Sequence, residues 1–313
     1  MFIRKVVKSG LASFTVALPK EWIIKNKIKK GEVLYLSELE DGMLITPEPR
    51  KEKIIGDSVI INVDEKDERS LIRAIISCYL NNSSSVLLKG ENIPKFSNII
   101  KQTANSLIGF ELIEEESNKI IIKNFVQLAD SNPNQILRRI DNTIRSMILD
   151  SKEVSSSNDL ADSLSERDKS VNRFVFLLTR IVKAAIKDPN IARELQLKPI
   201  DVLFYWELAL HLEKLGDGIK RYARVIKGCN AKTIIKVNEI ISEFNNLYEN
   251  SMKSFYQKDI KISDVVASSR INLLKKCDLF ESQFKGIETS NFANKIRAMT
   301  AHVVDISYLA RYT

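Results

Sequence analysis

The chain is short of several things that whole function classes require. Only three of its 313 residues are cysteine, and Cys78, Cys229 and Cys277 lie far apart with no CxxC or Cys/His spacing. That excludes a disulfide framework and a cysteine-held structural zinc, and it points to a reducing compartment, so a cytoplasmic protein is expected. Histidine occurs twice, at His211 and His302, each inside helical sequence. No nucleophile–base constellation, Walker motif, HExxH or GxSxG is present, so the chain is expected not to be an enzyme. No run reaches about 18 apolar residues, which excludes a spanning helix. After Phe2 and Ile3 the N-terminus turns polar, unlike a signal peptide.

What is present is an excess of positive charge. Lys and Arg number 48 against 40 Asp and Glu, a formal net charge of +8. This favours an acidic partner, nucleic acid first and a phospholipid surface second. A hydrophobic fraction of 44% with 28% charged residues describes an ordinary globular protein, long enough for two or three domains.

The charge gathers early, on Arg4, Lys5, Lys8, Lys20, Lys25, Lys27, Lys29 and Lys30. Strands are expected over 2–8 and 13–18, where Phe14, Val16 and Leu18 alternate with Thr15 and Ala17. Gly10 separates them and can take positive φ. Pro19 suits a first helical position, opening a short helix from Lys20 to Lys27 that carries Trp22, Ile23 and Ile24. A turn at Lys30-Gly31, a strand from Val33 to Leu36, a turn at Asp41-Gly42 and a strand from Met43 to Thr46 complete the module. Pro47, Pro49 and the run RKEK then read as a linker. A piece this small buries too little apolar surface alone and is expected to pair with a copy of itself. Its cations gain by displacing counterions from phosphates, and Arg can also read guanine edges. The same charges equally fit a solvated surface on a small β domain, and Trp22 fits a core better than a base-stacking platform.

Residues 54–124 read as a small α/β unit: strand DSVIINV, helix DERSLIRAIISCYL with Leu71, Ala74, Ile75 and Cys78 on one face, strand SSVLLKG, helix FSNIIKQTANSLIG, and the strand pair FELIEE and KIIIKNF. It has no phosphate-cradling Gly-rich loop. From about Asp130 the chain is helical. Ile136, Ile140, Ile144, Met147 and Ile148 recur at spacings of three and four or nearly so. After the loop or helix start SSSNDLADS, further helices are expected near Leu160–Lys187, Ile200–Lys227, Lys232–Tyr256, Ile262–Lys285 and Asn291–Tyr312, an antiparallel bundle.

One segment stands out, ELALHLEKLGDGIKRYA at 207–223. Glu213 and Asp217 are four apart on one helical face. Trp206 and Leu210 continue that stripe, predicting carboxylates turned inward, where a metal ion or a nearby Lys or Arg must neutralise them. A salt-bridged or exposed carboxylate pair stays open beside the metal site. Gly216 and Gly218 cost about 1 kcal/mol each relative to Ala, which predicts a close backbone approach to another helix. His302 and Asp305, three apart, can hydrogen-bond or share a metal, with a helix-surface or satisfied buried pair the simpler reading.

Two resemblances join these parts. Arg4-Lys5-Val6, Gly10, Ser13, Val16, Leu18-Pro19-Lys20, Trp22, Ile28, Lys30-Gly31, Asp41-Gly42 and Pro47 resemble a SpoVT-AbrB domain. The resemblance implies interleaved hairpins from two chains, with Arg4, Lys5, Lys8 and Lys20 facing DNA. Many relatives carry Arg after the central Gly, where this chain has Leu11. Glu213-Lys214-Leu215-Gly216-Asp217 resembles the ExxxD signature of PhoU, and SERDKSVNRF resembles the segment that faces it, with Asp168 and Asn172 at the matching polar positions. PhoU proteins are two pseudo-repeated three-helix bundles, some of which hold metal through these motifs. The resemblance implies a divalent or ferric ion held by Glu213, Asp217, Asp168 and Asn172. In the second repeat Asp305 stands for Asp217, but Ala301 replaces the glutamate, and SSRINLLKKCDLF lacks the acidic pair. One metal site is expected at most, and a metal-free bundle stays open.

The layout resembles that of archaeal PhoU-like regulators over nearly the whole chain. The expectation is a multidomain α+β protein: a swapped-hairpin module at 1–50, a small α/β domain at 51–127 and a PhoU-like all-α bundle at 128–313. It implies a transcriptional regulator tied to phosphate uptake or to metal or phosphate status. The implied partners are double-stranded DNA, a second copy of the chain as homodimer or higher, and a phosphate-transporter component, without membrane insertion. The rival is a non-DNA adaptor that docks on a phosphate-transport ATPase or a signalling kinase. An antitoxin is a third class, against which the long helical region counts.

Overall fold

The computed structural model describes residues 2–39, 42–48, 58–128, 131–154 and 158–312. The architecture is multidomain α+β, and the chain divides into two compact units, Met1–Lys53 and Ile54–Thr313.

In the first unit β1 (Val6–Ser9) and β2 (Ser13–Val16) form an antiparallel hairpin, with Val6 opposite Val16 and Lys8 opposite Phe14. Gly10, at φ 78°, makes the turn that L side chains resist. Helix α1 (Lys20–Lys25) starts at the expected residue and ends two residues early, with Lys27 at φ 55°. Pro19 is its extended N-cap, whose carbonyl accepts from the Ile23 N–H at 3.1 Å. The next strand starts late: β3 is Tyr35–Leu39, because the Lys30-Gly31 turn is closed by bonds between Lys29 and Glu32. It pairs antiparallel with β4 (Gly42–Thr46). Asp41 and the RKEK linker lie outside the described residues. Among residues 2–36 and 42–48 none is buried.

The second unit contains a four-stranded sheet of order β5-β6-β8-β7, from β5 (Val59–Asn62), β6 (Ser85–Lys89), β7 (Phe110–Glu116) and β8 (Lys119–Asn124). β5 and β6 are parallel, and the other pairings are antiparallel. Helices α2 (Glu68–Leu80) and α3 (Ile93–Asn105) supply Leu71, Ile75, Tyr79, Phe96 and Ile100 to a core with Val86, Leu88, Ile120 and Ile122. Asp67 caps α2 by accepting from the Ser70 N–H at 2.6 Å.

The rest of this unit is helical: α4 (Pro133–Asp150), α5 (Asn158–Lys187), α6 (Pro189–Glu194), α7 (Pro199–Ile226), α8 (Ala231–Gln257), α9 (Ile260–Gln283) and α10 (Ile287–Tyr308). Residues 155–157 of the expected helix start lie outside the described residues. Helix α6 falls where the sequence shows only Asp-Pro punctuation. Asp188 is its N-cap, accepting from the Asn190 N–H at 2.9 Å. α4, α5 and α7 pack together, as do α8, α9 and α10, and the two trios meet through α7 with α10 and α4 with α8. Gly218 permits the α7–α10 approach, since a Cβ there would lie 2.5 Å from the Met299 Sδ. The sheet is tied to α5 by Arg180, which is fully buried. Its Nε and Nη2 donate to Asn82 Oδ1 at 3.0 and 2.6 Å, and its guanidinium lies 4.8 Å from the Tyr79 ring centroid. Among the described residues no helix is long and apolar enough to cross a membrane.

Candidate functional site

The cations of the first unit are placed by its hairpin and by the start of α1. Arg4, Lys5, Lys8 and Lys20 are all exposed and form no ion pair with a described residue. The Arg4 Nη1 donates to its neighbour's carbonyl, Ile3 O, at 3.0 Å, and the guanidinium lies 5.8 Å from the Phe2 ring centroid. Strand register puts Lys8 on the face shared by Val6, Phe14 and Val16, and Val7 with Thr15 on the other. Lys8 therefore rises from an apolar face. Lys20 opens α1, and Leu11, at the hairpin tip, is 99% exposed. Trp22 and Ile23 are half-buried, in keeping with a packing role for the tryptophan.

In the second unit the 207–223 segment turns differently from expectation. Trp206 and Leu210 are exposed, so the stripe they share with Glu213 and Asp217 lies along the outer edge of α7. The reason is that α7 is apolar on more than one side. Its inward stripe is Leu208, Leu212, Leu215, Ile219 and Tyr222. Asp217 still meets Asp168, through Lys220. The Lys220 Nζ lies 2.5 Å from Asp168 Oδ2 and 3.1 Å from Asp217 Oδ1, and Arg221 approaches Asp217 at 2.6 Å. The charge that offsets these carboxylates is thus an ammonium one turn along the same helix. Burial opposes that ammonium, but its hydrogen bonds to Asp168 and Asp217 prevail and hold it above the ordinary lysine range. Glu213 stands apart, 2.9 Å from Lys214. Asp168 Oδ1 and Asn172 Oδ1 are buried without a hydrogen-bond partner. Gly216 lies over this spot, where a Cβ would meet Val171 at 3.3 Å and Asp168 Oδ1 at 3.4 Å.

A second polar cluster joins α7 to α10. His211 and His302 approach with their Nδ1 atoms 3.1 Å apart and their rings tilted by 51°. One ligand atom from each, and one from the Asp305 carboxylate, lie within 4.8 Å of one another. Among the described residues this is the group of three His, Cys, Asp or Glu side chains assembled so closely. Burial lowers the basicity of both imidazoles, against the pull of Asp305. The sequence couples only His302 with Asp305; His211 joins them across the helix interface, with no local signal.

Residues 12–53 match the family described as antidote-toxin recognition MazE, bacterial antitoxin. The N-terminal part is thus MazE/AbrB-like, of the swapped-hairpin type. Lys20 falls inside the matched stretch, while Arg4, Lys5 and Lys8 precede it. The match does not reach the sheet or the helices of the second unit. No curated protein and no solved structure matches the chain.

Proposed function

We propose that this chain is a DNA-binding transcriptional regulator whose N-terminal units pair, interleave their hairpins and present Arg4, Lys5, Lys8 and Lys20 to duplex DNA. The observation that carries the proposal is the first unit's lack of a core. Val6, Val7, Phe14, Val16, Leu36 and Met43 are all more than half exposed, and none of residues 2–36 and 42–48 is buried. Covering apolar surface is worth roughly 25 cal/mol per Å², and a second copy offers the same face in a self-complementary arrangement. The MazE-family match over 12–53 supports both the pairing and the nucleic-acid role. Eight cations against Glu21 and Glu32 between residues 2 and 36 make the module attractive to phosphate.

In this proposal the helical part is the controller, acting by binding and not by catalysis. A metal ion, phosphate status or a partner such as a phosphate-transport component shifts DNA affinity by binding the DNA-bound and free forms unequally. The PhoU resemblance of 165–174 and 207–223 motivates this finer assignment. The matched family's description favours a second reading, an antitoxin that holds a toxin. It requires a stable complex with a toxic partner, and the long second unit is more than such a role needs.

The test is fluorescence anisotropy of labelled duplex with the full chain. Binding at low salt that weakens strongly in Arg4→Ala/Lys5→Ala supports the proposal. No duplex binding at low salt sinks it, and recovery of a transporter ATPase instead favours the adaptor.

A further inference from the structure

The only two histidines of the chain are 91 residues apart, yet the fold brings them into contact. We propose that His211, His302 and Asp305 bind a divalent transition-metal ion between α7 and α10, with water completing its coordination. Two nitrogens bound at 2.0–2.1 Å to a tetrahedral zinc stand about 3.3 Å apart. The Nδ1 atoms of His211 and His302 stand 3.1 Å apart. The Asp305 carboxylate is exposed and makes no hydrogen bond or ion pair among the described residues, so a rotation about its own side-chain bonds brings an oxygen into place.

The surroundings suit a cation. Glu207 faces His211, and Glu213 faces His302. Lys214, the opposing charge beside His302, is held by Glu213 at 2.9 Å. Both rings are half-buried, and a neutral imidazole carries a nitrogen lone pair that a metal can take. Two imidazoles and one carboxylate favour Zn(II), Co(II) or Ni(II) over Mg(II) or Ca(II), which take oxygen ligands. The alternative occupant of the gap between the rings is a proton, donated by one imidazole to the other. The site is separate from the Asp168–Asp217 pair, which Lys220 already neutralises. An ion here clamps α7 to α10 and so holds the two helical trios together.

The experiment is titration of the full chain, first stripped with a chelator, with Co(II) and then Zn(II). The expected result is one Co(II) per chain, with the visible d–d bands of a low-coordinate nitrogen–oxygen site, displaced by Zn(II). His211→Gln and His302→Gln each weaken Zn(II) binding by at least about tenfold, and Asp305→Asn by a comparable factor. Zn(II) raises the thermal midpoint of the wild type by several degrees and leaves that of the histidine variants unchanged. The cobalt spectrum needs no variant, so a misfolded substitution does not spoil the test. Absence of stoichiometric binding to the wild type overturns the proposal and leaves the shared proton. Binding retained in both histidine variants but lost in Asp217→Asn also overturns it, by placing the ion at the other cluster.

Discussion

Replacing Lys220 with Met is the sharpest perturbation of the helical part. Asp168 has 3% of its side chain exposed, and its bonded oxygen, Oδ2, meets the Lys220 ammonium at 2.5 Å. Its other oxygen has no partner. Methionine keeps most of the lysine stem and removes the charge, leaving a buried carboxylate uncompensated. Breaking a buried pair from one side costs about 3–5 kcal/mol. Lys220 keeps 20% exposure and Asp217 retains Arg221, so the lower end, about 3 kcal/mol, applies. For a unit of this size that is a loss of roughly 6–12 °C in thermal midpoint. Urea unfolding of the full chain, followed by far-ultraviolet circular dichroism, reads it. Asp168→Asn in the same chain removes the stranded charge, so the double variant recovers at least about 1 kcal/mol of the sum of the singles. The contribution also has a pH signature. Because the folded ammonium is held above the ordinary lysine value of 10.5, its stabilisation is complete below that value and is lost as pH rises through the higher folded value. A Lys220→Met loss below about 0.5 kcal/mol, or strictly additive singles, refutes the buried-pair account.

Three further outcomes follow from the packing. Gly218→Ala drives a Cβ against Met299 and costs about 1–2 kcal/mol net of the helix-propensity gain, whereas Gly216→Ala, with contacts no closer than 3.3 Å, is near neutral; paired urea melts distinguish them. Arg180→Ala opens a cavity beside Tyr79 and costs about 3 kcal/mol, while Arg180→Met refills the space without burying charge and costs under half of that; equal losses contradict this. Ellman's reagent at neutral pH labels Cys229 first, because Cys78 and Cys277 are buried and burial pushes the Cys277 thiol up to about 11; rapid labelling of all three in the native protein is the contrary result.

How much of this was legible in the sequence depends on the range of the signal. Helix α4 was plain, since Ile136, Ile140, Ile144, Met147 and Ile148 recur at helical spacing and all are buried. The sheet unit was also readable, because its alternating strands and capped helix are local patterns. Helix α7 misled. With Leu203, Trp206 and Leu210 outward and Leu208, Leu212 and Leu215 inward, its periodicity does not say which apolar stripe the neighbours cover. Gly216 and Gly218 did announce a close approach, and the partners Val171 and Met299 supply it. Lys220 was named only as a class of neutralising neighbour, since its reach to Asp168 depends on α5–α7 packing. The His211–His302 contact had no sequence signal for the same reason. Short α6 was missed because six residues carry no periodicity.

The central claim is that paired, basic N-terminal units bind duplex DNA through phosphate. Its most direct measurement is the slope of log K against log salt for the full chain on a fixed duplex. Two copies of Arg4, Lys5, Lys8 and Lys20 predict a slope approaching roughly −7, at about −0.9 per phosphate neutralised, that falls by about half in Arg4→Ala/Lys5→Ala. A slope near zero, or one unchanged by that double substitution, contradicts it.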